Sequence, residues 1–104
     1  MLFQDSPTIL TAGDFLMRME CNMTGSTYLL VLRDGEPLLF SHEKSFVFLL
    51  DALKGQGRAS FANFVAFIAD LVGLRYRQLP VDQHHHWSSP ANYSIEDIYV
   101  FEEM

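Results

Sequence analysis

Cys21 is the single cysteine in this chain, so no internal disulfide can form and a reducing compartment is expected. Basic residues are also scarce: seven Lys and Arg stand against 13 Asp and Glu, for a formal charge of −6. Residues 78–104 contain no lysine or arginine at all. Nucleic-acid binders ordinarily present a basic face, so direct nucleic-acid binding is disfavoured. No apolar run is long enough to cross a bilayer. The longest, residues 61–74, is broken by Asn63 and Asp70 and falls short of the ~20 residues a spanning helix needs. The start, Met1-Leu2-Phe3-Gln4-Asp5, has neither the basic opening nor the apolar core of a secretory signal. A cytoplasmic protein without membrane attachment is the expectation.

Catalytic signatures are missing too. No G-x-S-x-G, P-loop or G-x-G-x-x-G pattern occurs, and Gly55-Gln56-Gly57 lacks the rest of any phosphate-binding motif. Cys21 alternates with Met19 and Met23, which marks it as inert packing rather than a nucleophile. The reading leans away from an enzyme and calls for no cofactor.

What the chain does have is hydrophobicity: 49% apolar residues, nine of them Phe, enough for a folded core in a single domain spanning 1–104. The organising stretch is Thr27 to Leu53. Tyr28 to Arg33 reads as a strand, Asp34-Gly35 as a type I′ turn, and Leu38 to Phe40 as the return strand. Pro37, with no N–H, suits an unpaired ladder position. An apolar helix is predicted from Glu43 to Lys54, with Ser41 before it as N-cap, and Gly55 after it. Upstream, Phe15 to Met23 alternates apolar with polar and predicts a strand. Thr11 and Asp14 form a possible capping box, so a helix there stays open. Downstream, Ser60 caps a second helix with a buried stripe of Phe61, Phe64, Val65, Ile68, Leu71 and Val72, ended by Gly73. Phe67 lies off that stripe. Residues 74–77 continue in extended form.

Residues 78–94 read as a long His-, Pro- and Ser-bearing loop, of a length usually tied to function or disorder. Residues 95–104 read as an acidic fourth strand, with a short helix capped by Ser94 and Asp97 as the alternative. The fold class is therefore α+β in two layers: a three- to four-stranded antiparallel sheet in β-β-β-α-α-β order, with two helices on one face. The central hairpin is apolar on both faces, and two helices of about four turns shelter only one. A second copy of the chain is expected to cover the other, as a homodimer through Leu29, Val31 and Leu39.

Two constellations carry the functional reading. His84-His85-His86 supplies imidazoles suited to zinc, copper or nickel, and His84 and His86 can share a face. No third ligand from His42, Asp82 or Cys21 stands at a recognised spacing, so no metal site is assigned; a polar surface loop is the plainer explanation. The second is recognition. Trp87 and Tyr93 lie in the loop and at its end, and the tail adds Glu96, Asp97, Glu102 and Glu103. Aromatic groups dominate binding hot spots, although a lone Trp commonly plugs its own core. Adjacent carboxylates in a strand face opposite ways, which suits solvated charge better than acid–base work. The function expected is a small acidic, non-catalytic protein-binding module. It would inhibit or adapt a basic partner protein, with a nucleic-acid-handling protein as one candidate. The alternative is a small metal-binding protein or metal-dependent enzyme using His84–His86.

Overall fold

The computed structural model describes residues 10–46, 58–81 and 91–104. They form five strands and one α-helix: β1 (Phe15–Cys21), β2 (Thr27–Arg33), β3 (Glu36–His42), a 3-10 turn (Glu43–Ser45), α1 (Arg58–Val72), β4 (Arg75–Leu79) and β5 (Tyr93–Glu102). The sheet is antiparallel throughout, in the order β3-β2-β1-β5-β4. The expectation of three to four strands and two helices is thus corrected to five strands and, among the described residues, one α-helix.

Each departure has a local cause. Ser41 does not cap a helix, because its backbone belongs to the ladder: β3 pairs Leu29 with Ser41 and Tyr28 with His42. His42 caps instead, its Nδ1 accepting from the Lys44 N–H at 3.0 Å. The turn that follows ends at Phe46, whose backbone is extended (φ −114°, ψ 99°). The remainder of the first expected helix lies outside the described residues. The possible capping box at Thr11 and Asp14 is a real turn that leads into a strand. The Thr11 N–H donates to Asp14 Oδ2 at 2.9 Å and the Asp14 N–H to Thr11 O at 3.1 Å. β1 then runs between β2 and β5. Residues 95–102 are strand rather than helix, and β5 begins two residues earlier than expected. It lies inside the sheet, between β1 and β4.

Other local signals are met. Asp34 (φ 55°) and Gly35 (φ 79°) both take positive φ, as a type I′ turn demands. Pro37 lies on β3, an outermost strand among those described, where a bulge interrupts the pairing with β2. Gly73 (φ 76°) closes α1: its N–H reaches Asp70 O, and the Leu74 N–H reaches Ala69 O at 2.9 Å. That pair of bonds is a Schellman cap. Ser60 is a buried residue inside the first turn of α1 rather than its cap. Phe61, Phe64, Val65 and Ile68 face the sheet as expected, but Leu71 stays half exposed.

α1 covers one sheet face, over Leu16, Leu29, Val31, Tyr99 and Phe101. The opposite face carries Met17, Met19, Leu30, Leu32 and Ile98, each at most 1% exposed. Both faces of β2 are therefore enclosed within one chain. The premise that a second copy must shelter them does not hold. Leu29 and Val31 are core side chains under α1, and Leu39 packs at the margin of that core. No helix among the described residues is long and apolar enough to cross a membrane.

Candidate functional site

β1 and β5 pair in register from Phe15↔Val100 to Arg18↔Asp97, then resume at Met19↔Ile95. Glu96 is the extra residue, a β-bulge. A bulge turns two successive side chains toward one side of a strand that would otherwise alternate. Glu96 and Asp97 accordingly line the same open cleft, about 380 Å³, with Gln78, Leu79, Pro80 and Val81. β4 and the two residues after it supply the amide and the apolar wall, β5 the acids. Among the described residues lining the cleft are two carboxylates and no lysine or arginine.

The surroundings keep that charge in place. Asp97 is only 4% exposed, and Gln78 Nε2 donates to its Oδ1 at a long 3.5 Å. Arg18, across the ladder from Asp97, is committed elsewhere. Its guanidinium lies 5.6 Å from the Phe61 ring centroid and 3.8 Å from Glu43 Oε2, a cation–π contact and an ion pair. Burial holds the Tyr99 phenol above its ordinary range, and the nearby charge of Asp97 raises it further. The cleft thus combines an acidic floor with an apolar rim. It fits a cationic group carried on an aliphatic stem, as in lysine or arginine.

The other expected site residues are dispersed. Glu102, on β5 opposite the start of β4, accepts from Arg77 Nη2 at 2.9 Å and lies 3.6 Å from Arg75 Nε. The Arg77 hydrogen bond holds its carboxyl below the usual range. Its charge is balanced there and does not join the cleft. Glu103 is exposed. Tyr93 sits on the opposite sheet face in an aromatic group, its centroid 5.5 Å from Tyr28 and 5.6 Å from Phe40. Tyr28 also contacts His42 at 5.0 Å. Burial raises the Tyr93 phenol, with Cys21 and Tyr28 adding to it. Cys21 is buried beside it, its thiol lowered chiefly by the Thr24 side-chain hydrogen bond.

Trp87, Asp82 and His84–His86 lie outside the described residues, and with them the metal reading. Among the described residues no group of three or more His, Cys, Asp or Glu is placed to hold a metal ion. Gln78, Leu79, Pro80 and Val81 were not singled out by sequence. Nothing in their spacing points to Glu96; only the bulge joins them. Comparison with family models, with curated proteins and with solved structures finds no match to this chain.

Proposed function

We propose that the protein is a non-catalytic binding module whose acid-lined cleft receives a basic side chain of a partner protein. One observation carries the reading: the bulge at Glu96 sets two carboxylates side by side in a cleft with an apolar rim and no basic residue among its described lining. A cation entering such a site exchanges water for charge-assisted hydrogen bonds, each worth about 1.5–3 kcal/mol net. The uneven charge of the chain favours the same partner, since residues 78–104 hold five acids and no lysine or arginine. A partner that handles nucleic acid presents basic segments of this kind. Occupying them would inhibit it.

The test is binding of a fluorescent arginine-rich peptide, with a glutamate-rich peptide of equal length as control. Affinity for the basic peptide is expected to fall as salt rises. It should also fall by roughly tenfold, about 1.4 kcal/mol, in Glu96→Gln and further in Glu96→Gln/Asp97→Asn. Glu102→Gln, outside the cleft, should leave it nearly unchanged. Equal loss in the Glu102 variant, or none in the Glu96 variant, would refute the cleft as the binding site.

A further inference from the structure

β4 pairs with β5 along one side only, from Arg75↔Glu102 to Leu79↔Ile98. Among the described residues no other strand pairs with its second side, and Arg75, Tyr76, Arg77 and Gln78 are all exposed. In an antiparallel pair every second residue directs its N–H and C=O away from the neighbouring strand. β4 therefore presents main-chain donors and acceptors outward, a template for one more strand.

The side chains along this edge differ between its two faces. The register places Gln78 beside Tyr99, which belongs to the core under α1. Asp97, two residues before Tyr99, shares that face, and Gln78 Nε2 donates to its Oδ1. Arg75 and Arg77 alternate onto the other face, where both meet Glu102. One face of the edge thus leads to the acids of the cleft, and the other carries two guanidinium groups against one carboxylate.

We infer that the partner's basic side chain arrives on an extended segment that adds to the open edge of β4 as a sixth strand. This rests on the reading of the Glu96–Asp97 cleft as the binding site. An added strand lies about 4.8 Å beyond β4, and β5 lies as far again on the inner side. The residue beside Gln78 must reach across β4 to the carboxylates, which only the long stems of lysine and arginine allow. Its neighbours on the same strand face the other way, beside Arg77 and Leu79. A second cation directly opposite Arg77 is repelled, so that position is neutral or acidic. The position beside Tyr76, which is 41% exposed, suits an aliphatic or aromatic side chain. The partner is accordingly a strand with one basic face, not a uniformly basic tail. Arg75 and Arg77 protect the edge from indiscriminate pairing and in the same way select this partner.

The test uses the full chain and a fluorescent peptide that alternates arginine with threonine. Methylating its main-chain nitrogens at alternate residues, in one phase or the other, removes strand donors and keeps every charge. In one of the two phases affinity should fall by roughly tenfold. With the unmethylated peptide bound, the outward amides of β4 should exchange more slowly. Unchanged affinity in both phases, or β4 amides that exchange as fast as before, overturns strand addition; a loss of binding in Glu96→Gln then still leaves the cleft in place. Binding indifferent to Glu96→Gln overturns the cleft and the strand addition together.

Discussion

At the residue scale the informative pair is Arg33 and Asp14. The Asp14 carboxylate is 1% exposed and accepts from Arg33 Nε at 3.0 Å and Nη2 at 2.8 Å, besides the Thr11 N–H. The bond to Asp14 raises the Arg33 guanidinium above its already high ordinary pKa, so this pair does not titrate through the arginine. The two ends are unequal, because the Arg33 side chain is 36% exposed while that of Asp14 is 1% exposed. Removing the arginine strands a buried carboxylate. Replacing the acid leaves a cation that can turn to water. Arg33→Met is therefore expected to cost about 3 kcal/mol and Asp14→Asn clearly less, measured by urea unfolding. Equal losses would contradict the asymmetry. The sequence flags Asp14 only as part of a capping box. Its true partner, on β2, is a tertiary fact.

At the element scale β4 is the strand least secured by burial: Arg75, Tyr76, Arg77 and Gln78 are all exposed, and β4 is an outermost strand among those described. Charge on an edge strand discourages pairing with other chains, and here it also ties β4 to β5 through Glu102. The Glu102 carboxyl is lowered in the folded state, mainly by the Arg77 hydrogen bond. A lowered acid contributes stability that is present above the unfolded value of about 4.3 and is lost as pH falls through the folded one. Amide exchange of β4 should accordingly lose protection, relative to β1, on going below the ordinary carboxylate range. Glu102→Gln should show the same loss of β4 protection already at neutral pH. A carboxyl resonance for Glu102 titrating at or above the ordinary value would contradict the assignment. Residues 74–77 could be read as extended from sequence. That they form a strand paired with the chain's last segment could not, since the partner is set by β5 and not by any local pattern.

At the scale of the whole molecule, the sheet is apolar on both faces and both are enclosed by one chain. Leu30 points away from α1 and is 1% exposed. Leu30→Ala should therefore cost as much as a core truncation, about 2–5 kcal/mol in chemical denaturation. Leu38→Ala, on the exposed outer strand, should stay within about 0.5 kcal/mol. Were the far face sheltered only by a partner, the Leu30 loss would shrink on dilution. The sequence alone determined what depends on neighbours in the chain. Asp34-Gly35 forces the hairpin turn, Gly73 ends α1 because it accepts positive φ, and alternation from Phe15 to Cys21 makes β1. It also made plain that β2 would be buried on both sides. Tertiary structure decided the rest: β5 inserted between β1 and β4, Ser41 drawn into a ladder instead of capping a helix, and Glu96 bulged so that two carboxylates share one cleft. Each of these depends on hydrogen bonds and burial between segments far apart in sequence, and no local propensity encodes such pairings.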